Sequence, residues 1–137
     1  MSRRKLSKPE RQRIYAKTNG HCAYCGREIA IQQMQVDHVI PMEFYDAYKS
    51  IGQDLNDIGN LLPACRSCNN YKHTLTLEKF RAAIEHTPDV LARDSVTYRN
   101  AVRFGLVTPT PGPVTFYFER LEVTNEHDAG RSDCAAE

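Results

Sequence analysis

The sequence predicts a small α+β domain clamped by a metal ion, and three observations lead there. Two Cys-x-x-Cys pairs, Cys22/Cys25 and Cys65/Cys68, stand far apart in the chain. Short extended stretches closed by Pro41 and Pro63 alternate with helical patterns that carry capping residues and Gly or Pro stops. The 137 residues, 41% hydrophobic and 26% charged, suit one core. A chain of that size buries roughly two-thirds of its unfolded surface.

In chain order, residues 1–20 read as a basic arm and a short helix. The helix covers 9–18, starts near Ser7 or Lys8, turns Ile14, Tyr15 and Thr18 inward, and stops at Asn19-Gly20. A core spans 21–86. It opens on Cys22-Ala-Tyr-Cys25-Gly26, where Gly26 permits the tight turn of a metal knuckle. Residues 34–40 (Met-Gln-Val-Asp-His-Val-Ile) predict a strand, 42–58 a partly helical connection ended by Gly59, and 61–64 a second extended segment. A helix turn begins at Cys68–Asn69, and Thr76 caps a helix over 77–86 that Thr87-Pro88 stops. Residues 87–123 are expected to add a helix at about 95–104, capped by Ser95 and ended by Gly105, and a C-terminal strand at Val114–Phe118. Both are expected to pack on the core. The acidic tail, 124–137, reads as disordered.

Charge is unevenly placed. The net value is +1, yet residues 1–27 hold eight Lys/Arg against Glu10 alone, and the last nineteen hold six acids against two arginines. A basic end fits either a polyanion partner or a solvated arm. No apolar run approaches the ~20 residues of a membrane helix, and none follows the basic start, so no membrane partner and no export signal are expected.

Four cysteines in two pairs supply the thiolates of a tetrahedral structural zinc. The competing reading is buried thiols or a redox pair; a reducing cytoplasm disfavours disulfides. Residues 26–64 are too long a spacer for a simple zinc ribbon, so something is inserted between the halves. Cys134 has no partner, and His21 is not needed as a ligand.

The inserted segment carries Asp37-His38 and Asn60, and Asn69 and Lys72 follow the second pair. The order Cys-x-x-Cys…Asp-His…Asn-Leu-x-x-x-Cys-x-x-Cys-Asn-x-x-Lys resembles the HNH endonuclease family, in its four-cysteine zinc form, over Cys22 to about Lys72. The later segments are similar, more weakly, to small phage and prophage members. The resemblance implies a ββα-metal fold, with 21–86 as the nuclease core. His38 is the candidate general base, because an imidazole titrates near neutral pH and can take a proton from water. Asp37 offers a hard oxygen to Mg²⁺ or another divalent ion such as Mn²⁺. Neighbouring strand residues point to opposite sides, which fits a ligand and a base rather than two ligands of one ion.

By the same resemblance Asn60 orients His38 and braces the loop, and Asn69 is the second metal ligand. His73, four residues on and on the same helical face, is an alternative ligand. Lys72 reads equally as a phosphate contact or a solvated lysine. Arg3, Arg4 and Lys5 would add backbone affinity. Taken singly, Asp37 could cap a turn, His38 could be an ordinary histidine and Asn60 a turn residue after Gly59.

The resulting expectation is a metal-dependent DNA endonuclease of bacterial or phage-infected cytoplasm. It would act on double-stranded DNA, by nicking or with low specificity, leaving 5′-phosphate and 3′-hydroxyl. The alternative is a catalytically inactive, zinc-stabilised nucleic-acid-binding or phage assembly and packaging module. Binding alone does not call for a base beside a carboxylate.

Overall fold

The structure, a computed structural model, describes residues 4–123; Arg3, Cys134 and the tail expected at 124–137 lie outside them. The chain divides into two units, one formed by residues up to 76 with those from 115 onward, the other by 77–114.

The first unit begins with helix α1 (Lys8–Ala16), closed at its start by a capping box in which Ser7 and Glu10 satisfy each other's backbone N–H groups. Ile14 and Thr18 are buried as expected, and Asn19 and Gly20, both at positive φ, end the helical run. The chain then makes the first knuckle. The Cys22 N–H donates to the Arg27 carbonyl, the Gly26 N–H to the Cys22 carbonyl, and Gly26 sits at φ +80°. Strand β1 (Gln35–His38) pairs antiparallel with β2 (Leu61–Ala64), Gln35 opposite Ala64 and His38 opposite Leu61. Helix α2 (Tyr45–Ser50) lies in the connection between them. Helix α3 (Arg66–Lys72) follows β2 directly, its first turn capped by the Cys65 sulfur, which accepts from the Cys68 N–H. The hairpin and α3 form the ββα unit. Ile14, Tyr24, Ile29, Met34, Leu55, Leu61 and Phe116 fill its core.

The C-terminal strand expected at 114–118 is not formed. Residues 111–116 are irregular and 117–123 are helical, here α7. The period-2 aromatic pattern has another origin: Phe116 and Phe118 both set their edges or faces against Tyr24, with ring centroids 5.2 Å and 6.2 Å away. The N–H groups of Tyr117 and Phe118 donate to the Tyr24 and Ala23 carbonyls of the knuckle, so they are satisfied without a ladder.

The second unit is helical: α4 (Leu77–Glu85), α5 (Thr87–Asp94) and α6 (Val96–Arg103). Thr87-Pro88 ends α4, but it also opens α5, which the sequence reading left out. Proline's fixed φ and missing N–H suit the first turn of a helix. Ser95 caps α6 by accepting from Tyr98 N–H, and Gly105 at φ +75° follows its end. No helix among the described residues is long and apolar enough to cross a membrane.

Candidate metal and catalytic sites

The two knuckles bring Cys22, Cys25, Cys65 and Cys68 together with all four sulfurs within 4.8 Å of one another. A tetrahedral zinc with bonds of about 2.3 Å places its sulfurs about 3.8 Å apart. The Cys25 and Cys65 sulfurs are 3.9 Å apart, so the cluster fits that ion. A hydrogen bond from the Cys68 thiol lowers Cys22, and the same bond pushes Cys68 up. Burial pushes Cys25 up. A cation bound among the four sulfurs would replace their protons. His21 turns its Nδ1 to the carbonyls of Thr18 and Asn19, away from a ligand role.

Asp37 and His38 diverge at the end of β1. Asp37 is buried at 4% exposure, and its Oδ2 accepts from the Tyr24 hydroxyl and pairs with the Lys72 ammonium at 3.0 Å. Lys72 is fully buried and also donates to the His38 carbonyl at 3.0 Å. It is therefore neither a solvated lysine nor a phosphate contact, as the sequence had suggested; α3 uses it to grip both residues of the Asp-His pair. Burial, then the Asp37 charge, pushes the Tyr24 phenol far above its usual range, so Tyr24 remains a donor. Oδ1 of Asp37 makes no hydrogen bond among the described residues.

His38 is held through Nε2, 3.0 Å from Asn56 Oδ1. Asn56 Oδ1 also faces the Arg4 N–H, a donor, which fixes this atom as the oxygen and Nε2 as the protonated nitrogen. Nδ1 is left with its lone pair, buried and without a partner. An orphaned buried acceptor costs about 1–3 kcal/mol and calls for an explanation. A small cavity of about 80 Å³, lined by Arg4, Leu6, Val36, His38, Asn56 and Leu61, adjoins the ring.

Asn60 makes no hydrogen bond to the imidazole among the described residues. Its Oδ1 accepts from the Ile40 N–H at 2.9 Å, and its Nδ2 donates to the carbonyls of Ile40 and Leu55 at 3.1 Å and 2.9 Å. It ties together the two ends of the connection that carries α2. Asn69 is half-buried on α3. His73 falls just beyond the end of α3, at φ 48° and ψ −117°, with Nδ1 on the Thr74 hydroxyl, so the same-face argument does not reach it. Arg4 pairs with Glu10, and Lys5 is exposed. Tyr24 and Asn56, which hold the Asp-His pair in place, carry no signature in the local sequence.

A two-stranded hairpin leading into a helix, held by a four-cysteine cluster that could bind zinc and presenting Asp-His at a strand end, has the ββα-metal fold. Residues 22–75 match the family model described as HNH endonuclease. A curated relative, YoqL of the SPbeta prophage of Bacillus subtilis (strain 168), itself assigned to the HNH endonucleases by inference, is 33% identical over 63 residues. That match takes in 45% of this chain and 27% of the relative, so the chain spans about a quarter of that protein's length. Among solved structures, the Type II-C Cas9 enzyme from Actinomyces naeslundii is similar at a TM-score of 0.45 and 22% identity, over 61% of this chain and 9% of that one.

Proposed function

We propose that this protein is a metal-dependent DNA endonuclease in which His38 is the general base. The observation that carries the reading is the buried, unpartnered Nδ1 of a histidine whose other nitrogen is held by Asn56. That arrangement leaves a lone pair ready to accept a proton from water. The hard donors for a catalytic ion are Asp37 Oδ1 and the amide oxygen of Asn69. Mg²⁺ or Mn²⁺ bound there would neutralise phosphate charge and stabilise the departing oxygen.

In the hydrolysis, His38 Nδ1 takes a proton as water attacks phosphorus, the bond from phosphorus to the 3′ oxygen breaks, and the departing oxygen takes a proton from a solvent water. The products are a 5′-phosphate and a 3′-hydroxyl. Asn56 keeps Nε2–H donated and the lone pair on Nδ1. Lys72 holds the His38 carbonyl and the Asp37 carboxylate in register, and Asn60 braces the following loop. Lys5, which is exposed, adds sequence-independent affinity for the backbone. Nothing among the described residues reads bases as a separate recognition module, which favours nicking or low specificity. The four-thiolate zinc has no open position and serves the fold.

One observation favours the inactive binding module: Asp37 is buried and already faces an internal cation, Lys72. Cleavage of supercoiled plasmid in Mg²⁺, Mn²⁺ or EDTA decides between the two. Loss of a general base slows cutting by roughly 10²–10⁴-fold, so His38→Ala should fall by that amount while still binding zinc. Equal activity in His38→Ala removes the base assignment, and an inert wild-type protein in every metal leaves the binding module.

A further inference from the structure

Several basic side chains of the four-cysteine unit are engaged internally. Arg4 pairs with Glu10, Arg11 donates to the carbonyls of Ile31 and Met34, Lys17 to that of Leu61, and Lys72 to Asp37 and His38. Arg27 and Arg66, like Lys5, Lys8 and Arg13 of the N-terminal segment, are not, and these two share a cleft. Both are exposed, and neither guanidinium makes a hydrogen bond or ion pair among the described residues. They line one cleft of about 580 Å³, together with Gln33, Gln35, Ser67 and Glu28. Two guanidinia, two amides and a hydroxyl supply donors to this lining, which Ile29, Cys65 and the Glu28 carboxylate complete, unlike the largely apolar walls of a small-molecule pocket.

The cleft also has a fixed relation to the candidate catalytic residues. Gln35 lies two residues before Asp37 on β1, on the same face and roughly 7 Å away along the strand. Arg66 lies three residues before Asn69 on α3, which makes their side chains neighbours on the helix surface. The two elements that present the proposed metal ligands thus each present a cleft donor one step earlier. Guanidinium groups match phosphate oxygens bidentately, and amides and hydroxyls can donate to the same oxygens without reading a base.

We propose that this cleft seats the phosphate flanking the scissile one on a DNA strand, with Arg27 and Arg66 as its clamps. The partner is the sugar-phosphate backbone, independent of sequence. Glu28, with its side chain 90% exposed, is the carboxylate of the cleft and opposes that binding. Placement beside the scissile bond rests on the nuclease reading; the binding itself does not.

The test is fluorescence anisotropy on a short labelled duplex, using the zinc-loaded full chain with His38→Ala to prevent cutting. Each lost phosphate contact lowers the slope of log K against log salt by about 0.9, which near 0.1 M salt is roughly an eightfold loss of affinity. Arg27→Gln and Arg66→Gln should each show that change and together show both, while Glu28→Gln should tighten binding. Arg93→Gln, whose guanidinium is paired with Asp94 in the other unit, removes the same charge and should change little. If the background protein binds DNA and the two cleft variants match it in affinity and slope, the cleft proposal fails and the nuclease reading stands. Weakened binding in the variants, combined with an inert wild-type protein in the plasmid assay, supports the cleft and removes the nuclease. Absence of DNA binding by folded, zinc-loaded protein removes both.

Discussion

Lys72→Met tests the claim that a buried ammonium organises the Asp-His pair. Lys72 is 0% exposed and its side-chain partner Asp37 5%, with the charged atoms 3.0 Å apart. Removing one member of a buried pair strands the other charge and typically costs about 3–5 kcal/mol. The same substitution also removes the hydrogen bond to the His38 carbonyl, so the upper part of that range is expected. Small domains are stable by about 5–15 kcal/mol in total, so the loss should be visible as a large drop in the urea midpoint of zinc-saturated protein followed by circular dichroism.

The double variant Asp37→Asn/Lys72→Met sharpens the test. With both charges gone, the methionine meets an amide that can still accept from Tyr24, and part of the loss should return. Interacting neighbours show coupling of about 0.5–3 kcal/mol, and the sign here should be favourable to the double variant. Plasmid cleavage should not return with it, because the double variant restores packing without restoring the carboxylate. A Lys72→Met protein within about 0.5 kcal/mol of wild type, the usual range for surface changes, would refute the buried-clamp account.

Three further outcomes are expected. Cys65→Ser should release zinc and collapse the dispersed amide spectrum, since structural zinc contributes on the order of 10 kcal/mol or more; a retained fold without metal would contradict the four-thiolate clamp. Asn60→Ala should lower stability by about 1–3 kcal/mol for the unsatisfied groups it leaves at Ile40 and Leu55, measured by thermal melts. Asn56→Leu should keep the zinc stoichiometry and melting temperature but reduce the cleavage rate roughly 10–100-fold, the usual effect of losing a residue that orients a functional side chain. An Nδ1–H tautomer of His38 in the wild-type protein, read from imidazole ¹⁵N shifts, would show that Asn56 holds the ring the other way round.

What could be read from the chain follows the range of the interactions involved. The four-cysteine cluster was legible because a knuckle is local: two thiols, a turn and Gly26 within five residues. The Asp-His strand and the Ser95 and Ser7 caps were legible for the same reason. Lys72 was not, because nothing near it in sequence distinguishes a solvated lysine from one whose partner lies thirty-five positions earlier. Asn56 sits in an Asp-Leu-Asn-Asp run that reads as a turn, and only the fold brings it to His38. Phe116 and Phe118 misled for a physical reason: alternation marks residues that share a face, and here the shared face is Tyr24 rather than the neighbouring rung of a sheet.

The four-cysteine cluster and the Asp-His pair are joined by one short helix. Cys65 is both a member of the cluster and the cap of α3, and seven residues later the same segment delivers Lys72 beneath β1. A seven-residue helix is well below the length at which an isolated helix holds in water, so α3 depends on its anchors. If the cluster holds zinc as proposed, stripping it should free the cap, and the helix should then lose its hold on Lys72 and with it on Asp37 and the His38 backbone. Chelation strong enough to remove the thiolate-bound ion should therefore abolish cleavage even when Mg²⁺ is returned in excess, and activity should recover only with zinc. A structural metal with no open coordination position would in this way govern the reaction, through a single buried lysine, without touching the substrate.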